Sequence, residues 1–191
     1  MSGSRVALFA YGSLVNTDSA EATLGRPVPL PPPVRLGGWR RRWSQARDNL
    51  AVEKTFARRA DGSLPRHVLG LNIEPSRHAE EAPNGVLLAV TEEELRRLDV
   101  REMRYDRVEL GALGGFDRVF AYTAKRAHHA PDPPPDAVVI ASYVERLESA
   151  FAALGPEQLR IYRETTGPPP VEVIDAVLVR DRVPPGNPRE W

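Results

Sequence analysis

In Arg5-Val6-Ala7-Leu8-Phe9-Ala10-Tyr11-Gly12-Ser13-Leu14 an apolar run stops at a glycine, Gly12. It predicts a strand over Arg5–Tyr11 that stops at Gly12 and enters a turn, with Asn16, Thr17 and Asp18 as turn or N-cap residues. Further strands follow outward from it. Val34–Gln45 reads as extended, with Trp39, Arg41 and Trp43 on one face and Arg40 and Arg42 on the other. His67–Glu74 is a third strand, and a turn at Pro83-Asn84-Gly85 leads into a fourth, Val86–Val90. Thr91 then stands three residues before Glu94, a capping-box pattern for a short helix ending near Asp99–Arg101. On that helix Glu92 with Arg96 and Glu93 with Arg97 have i,i+4 spacing. Tyr105–Leu110 and Arg118–Lys125 are two more strands around a turn with Gly111, Gly114 and Gly115.

Beyond the prolines at 131 and 133–135 the period becomes helical. Asp136 is the expected N-cap of a helix whose inner face is Ile140, Tyr143, Val144, Leu147, Phe151 and Leu154, ended by Gly155. Pro156 opens another, Glu157–Thr165. Val171–Val179 suits strand or helix equally, and Pro184, Pro185 and Pro188 mark an extended tail. Six short strands, one helix among them and a helical C-terminal third make an α+β pattern, which favours a mixed or antiparallel barrel-like sheet. The expected division is a barrel domain over residues 1–130 and a helical extension, 131–191, packed on it within the same domain.

The 191 residues suit one such unit with a buried core. Twenty-six basic and 26 acidic side chains cancel, which disfavours non-specific nucleic-acid binding because that needs surplus cationic charge. With no cysteine, disulfides, thiolate metal sites and thiol nucleophiles are excluded. No apolar run has the length of a membrane span, and Val6–Phe9 is too short for a signal-peptide core, so a cytoplasmic protein is expected. His67, His78, His128 and His129 show no metal-ligand spacing, and the P-loop, dinucleotide-binding and hydrolase-elbow motifs are absent.

Three stretches carry chemistry. At Tyr11-Gly12-Ser13-Leu14, backbone N–H groups beside a glycine make a concavity suited to a carboxylate or oxyanion, although a polar strand-to-loop turn explains the same residues. Glu102 falls between a helix and a strand, where a carboxylate can be held rigidly; Arg101 and Arg104 beside it equally suit a surface ion pair. Trp39-Arg40-Arg41-Arg42-Trp43 suits either single-stranded nucleic acid or a strand with its Trp side chains turned to the core.

Phe9-Ala10-Tyr11-Gly12-Ser13-Leu14 resembles the Y-G-S-[LN] loop of the γ-glutamylcyclotransferase superfamily, which includes ChaC-like enzymes and γ-glutamylamine cyclotransferases. Leu36–Trp43, Asn84–Leu88 and the block from Leu98-Asp99 through Arg101-Glu102 to Tyr105–Val108 are similar to further family segments, in the same order. The resemblance covers residues 6–125 and implies a small mixed β-barrel with flanking helices. It implies an enzyme that cyclises a γ-glutamyl group to 5-oxoproline and releases an amine or amino acid. Glu102 would be the general base, Tyr11, Gly12, Ser13 and Leu14 would hold the γ-glutamyl moiety, and Tyr105 would stand near the same pocket. Neither metal nor organic cofactor is implied, and the partner is a small γ-glutamyl compound rather than nucleic acid or membrane. The chain departs from the pattern at Arg104, where many ChaC-like members have glycine, in Glu53–Arg66, and in the C-terminal third. A non-catalytic binding module on the same fold and a nucleic-acid-binding barrel are the alternatives. Which γ-glutamyl compound is used and the oligomeric state are left open.

Overall fold

The structure, a computed structural model, describes residues 4–183. The tail prolines Pro184, Pro185 and Pro188 lie outside the described residues. Strand β1 (Val6–Ala10) leads through a 3₁₀ turn at Ser13–Val15 into helix α1 (Thr17–Leu24). Strands β2 (Pro33–Arg35), β3 (Trp39–Asp48), β4 (Lys54–Arg58), β5 (His67–Pro75) and β6 (Asn84–Ala89) follow. Helix α2 (Glu92–Arg101) precedes the hairpin of β7 (Tyr105–Leu113) and β8 (Phe116–Ala124). Strand β9 (Ala137–Ile140) runs directly into α3 (Ala141–Ala153), and α4 (Pro156–Thr166), β10 (Val173–Ile174) and β11 (Ala176–Asp181) are the remaining elements among the described residues.

The strands form three sheets, ordered β2-β6-β1-β8-β7, β10-β9-β5-β3 and β11-β4. Pairing is mixed: β1 is antiparallel to β6 and parallel to β8, and β9 is parallel to both β5 and β10. The fold is therefore α+β, but the expected closed barrel does not form among the described residues, because each sheet ends in edge strands. The two larger sheets meet through side chains instead; Asn72 Oδ1 on β5 accepts a 2.7 Å bond from the Ala124 N–H on β8. Central position explains why β1 is apolar on both faces, with Ala7 to Ala10 all buried. Its neighbour β6 needs glycine at its second position, Gly85. A Cβ at Gly85 would fall 2.3 Å from the Ala10 carbonyl oxygen and 2.9 Å from the Phe9 ring.

Several sequence expectations change. Val34–Gln45 is two strands, β2 and β3, separated at Gly37-Gly38. Asp136 does not cap a helix. Its carboxylate accepts from the Arg66 N–H and its carbonyl from the His67 N–H, which aligns β9 beside β5. Val138, Val139 and Ile140 are β-branched and buried, so they extend as a strand and the helix begins only at Ala141. The C-terminal third is thus helical only in part, since β9, β10 and β11 flank its helices. The unplaced stretch after Glu53 holds β4, whose partner β11 is more than 100 residues away.

Helix α2 matches its expectation closely. Thr91 Oγ1 accepts from the Glu94 N–H, and the Glu94 carboxylate accepts from the Thr91 N–H. Its surface pairs differ from the i,i+4 expectation. Glu93 bonds Arg96, while Arg97 reaches the Leu24 carbonyl and ties α2 to the end of α1. Leu95 and Leu98 are fully buried beneath it. Removing the cap with Thr91→Ala should destabilise the protein by about 1 kcal/mol, read as a lower urea midpoint with an unchanged slope.

Candidate functional site

The last turn of α2 hands the chain to β7 through Glu102. Its N–H donates to the Leu98 carbonyl, and its own carbonyl accepts from the Tyr105 N–H, both at 2.8 Å. The residue is therefore held by the helix on one side and by the strand entry on the other. Its side chain is 15% exposed. Oε1 accepts from Arg101 Nε at 3.0 Å, and among the described residues no other side chain hydrogen-bonds this carboxylate.

Arg101 is the link that sequence reasoning missed. Its buried guanidinium bonds Glu102 through Nε, Ser13 Oγ and Ser19 Oγ through Nη2, and the Ser19 carbonyl and Thr23 Oγ1 through Nη1. A planar fork with five donors can join the carboxylate, the glycine turn and α1 in one arrangement, which a lysine cannot. Arg104 turns away. It makes a buried bidentate pair with Glu53, so it does not lock Glu102.

Across from Glu102 lies the turn that begins at Tyr11. The Val15 N–H closes the 3₁₀ turn on the Gly12 carbonyl. The N–H groups of Ser13 and Leu14 donate to no protein acceptor among the described residues, as expected of donors opening a helical turn. Gly12 is not crowded: a Cβ there would meet only Tyr143 Oη, at 3.8 Å. The Tyr11 hydroxyl donates to the Tyr122 carbonyl at 2.7 Å, and Tyr105 Oη donates to the Leu71 carbonyl at 2.8 Å.

Two adjoining cavities meet at Glu102. One, of about 50 Å³, is lined by Tyr11, Gly12, Ser13, Leu14, Glu102 and Tyr105, among others. All six residues singled out from the sequence thus face one hollow. The second, of about 80 Å³, continues past Glu102 toward Gln45, Arg47, Phe56 and Gly70. Ser13, Glu102, Tyr105 and Tyr143 line both. Tyr143 was legible only as part of the inner face of its helix. Burial first, and then the nearby Glu102 charge, raise the Tyr11 phenol well above its ordinary range. Burial does the same to Tyr143, so both hydroxyls remain neutral donors at physiological pH.

Beneath the turn lies Arg41, from the Trp39–Trp43 run. Its guanidinium stacks on Phe151 and Tyr162, 4.8 and 4.6 Å from the ring centroids. Nη1 donates to the carbonyls of Tyr11 and Asn84, Nη2 to Asn84 Oδ1, and Nε to Thr166 Oγ1. Arg41 and Trp43 are buried, where neither can stack on a nucleic-acid base.

Among the described residues, no three His, Asp or Glu side chains group so as to hold a metal ion, and no helix is long and apolar enough to cross a membrane. No protein-family model matches the chain, and no curated protein matches it. Among solved structures it is similar to the solution structure of At5g39720.1 from Arabidopsis thaliana. Identity is 23% over 69% of this chain and 76% of that one, with a TM-score of 0.39, a likeness too loose to carry an argument about function.

Proposed function

We propose that the chain is a γ-glutamylcyclotransferase-like enzyme. One observation supports the reading above the others: the Glu102 carboxylate and the Tyr11–Leu14 turn line one cavity, and Arg101 bonds both Glu102 and Ser13. The substrate's α-ammonium gives a proton to Glu102. The freed amine attacks the γ-carbonyl of the same glutamyl group, forming the lactam C–N bond and a tetrahedral oxyanion. Glu102 then returns the proton to the departing nitrogen as the original amide bond breaks, and the second proton shed by the ring nitrogen passes through the same carboxylate to the released amine, which leaves as an ammonium. Atoms and charge balance with no further reactant, and the products are 5-oxoproline and a free amine or amino acid.

The Ser13 and Leu14 N–H groups, which donate to no protein acceptor among the described residues, receive the oxyanion or the substrate carboxylate. Holding the substrate folded supplies much of the remainder, since well-oriented intramolecular attack is worth roughly 7–11 kcal/mol. Glutathione, γ-glutamyl amino acids and γ-glutamylamines form the test panel, incubated with the parent and with Glu102→Gln protein. Mass spectrometry should find 5-oxoproline from at least one compound with the parent only. Binding without turnover across the panel would establish the binding-module alternative instead.

A further inference from the structure

We propose that the open edge of β7 is a self-association surface, on which a second copy of this chain pairs antiparallel about Val108 and joins the two five-stranded sheets into one. A sheet edge presents unpaired N–H and C=O groups that pair with another chain unless something blocks them. Most edges here are blocked. β2 has three residues and begins with proline, and β10 has two residues. β3 is covered by the segment before β9: the Ala46 N–H donates to the His128 carbonyl, and the Ala130 N–H to the Ser44 carbonyl. Asn49 caps β4, its side chain donating to the Phe56 carbonyl and accepting from the Phe56 N–H. β11 is broken by a bulge after Leu178. β7 differs. Its register with β8 runs unbroken from Tyr105 to Glu109, and among the described residues no strand pairs with its other side.

The backbone groups that face outward set the pairing this edge can make. The Lys125 N–H donates to the Arg104 carbonyl, so residues 104 and 125 are a hydrogen-bonded pair. Alternation along the ladder then turns Asp106 and Val108 toward β8 as well. Arg107 and Glu109 direct their N–H and C=O groups to the open edge, whereas the Tyr105 N–H is already taken by the Glu102 carbonyl. A two-fold axis through Val108 uses what is left. Arg107 of each copy then faces Glu109 of the other as a hydrogen-bonded pair, and both pairs form at once.

The side chains specify the same register. Arg107 and Glu109 are exposed and lie on one face, so each guanidinium stands across from a carboxylate of the other copy. Both are already oriented. Arg107 stacks 5.1 Å from the Phe120 ring centroid with Nη1 3.4 Å from Asp99, and Glu109 is bonded by Arg118. A two-fold at Arg107 or at Glu109 would set like charges against each other, and the first would also need the Tyr105 N–H. On the opposite face the half-buried Val108 meets its own copy, which completes its burial. One short strand thus carries both signs in self-complementary order, the chemistry of an isologous partner.

Sedimentation equilibrium of the full chain over a range of concentrations tests the interface, and none of its readouts depends on what Glu102 does. The parent should dimerise. Arg107→Glu and Glu109→Arg each turn both attractive pairs into repulsive ones and should weaken the dimer about tenfold or more. Combining the two substitutions restores opposite charges across the seam and should return the dimer toward the parent's affinity. Val108→Cys gives a check that does not rely on charge. The chain has no other cysteine, and the two copies of position 108 form a non-hydrogen-bonded pair with Cα atoms about 4.5 Å apart, within reach of a disulfide. Oxidation should therefore yield a covalent dimer, whereas Asp106→Cys, which faces Leu110 of the second copy, should not cross-link under the same conditions. Thermal melting confirms that each variant is folded. A parent that stays monomeric, a dimer that both charge reversals leave unchanged, or cross-linking at 108 no better than at 106 overturns the interface.

Discussion

Glu102→Gln should reduce 5-oxoproline formation by at least about a hundredfold, the lower end of what a positioned general base contributes. The substitution preserves shape and the acceptor at Oε1, so Arg101 Nε keeps its partner and its bond to Ser13 Oγ is not disturbed. What is lost is the basic oxygen that must take the ammonium proton. KM should change little, because the substrate's recognition groups lie on the Tyr11–Leu14 turn and not on the carboxylate. Stopped assays at saturating substrate, with circular dichroism to confirm the fold, separate the two effects. A second variant, Glu102→Asp, retains the base but withdraws it by one methylene, and should fall between parent and Gln. If Gln equals the parent in rate, another group takes the proton and the proposed mechanism is wrong.

Local chemistry made some of this molecule legible in its sequence. The Thr91–Glu94 cap, the glycine after Tyr11 and the helix pattern through Leu147 and Phe151 each act over one or two turns, and each is found where it was expected. The features that escaped are set by contacts between distant segments. β4 has no local signature because β11 completes it, and β9 reads as the start of a helix until β5 and β10 flank it. The site divides the same way. Tyr11–Leu14, Glu102 and Tyr105 stand in short motifs. Arg101 resembles any arginine in a last helical turn, and only the packing of α2 on α1 gives it Ser19 and Thr23. Gln45 depends on a bulge that alternation of side chains does not reveal.

Arg41→Met should destabilise the protein by roughly 3 kcal/mol and lower kcat as well, although methionine removes a buried charge. Two effects compete. Burial lowers the Arg41 pKa to about 10, well below the ordinary guanidinium value, so the unfolded chain holds this proton more tightly. By itself that charge opposes folding, in full below pH 10, and the opposition fades as pH rises from about 10 toward the ordinary guanidinium value. Methionine relieves it. Against this, methionine strands the carbonyls of Tyr11 and Asn84 and the Asn84 amide oxygen, each of which accepts from the guanidinium. A stranded buried acceptor costs about 1–3 kcal/mol, so several together outweigh the relief. The functional loss follows from the Tyr11 carbonyl, which lies one residue before Gly12; freed from Arg41, the turn no longer presents its N–H groups at a fixed position. Arg41→Lys separates charge from geometry. An ammonium keeps the charge but cannot reach Tyr11, Asn84 and Thr166 together, so it should lose both stability and kcat. Urea unfolding at pH 7 beside steady-state rates gives both readouts. A lysine variant equal to the parent would show that the charge alone matters, and a methionine variant as stable as the parent would show that desolvation dominates; either outcome removes Arg41 as the support of the turn.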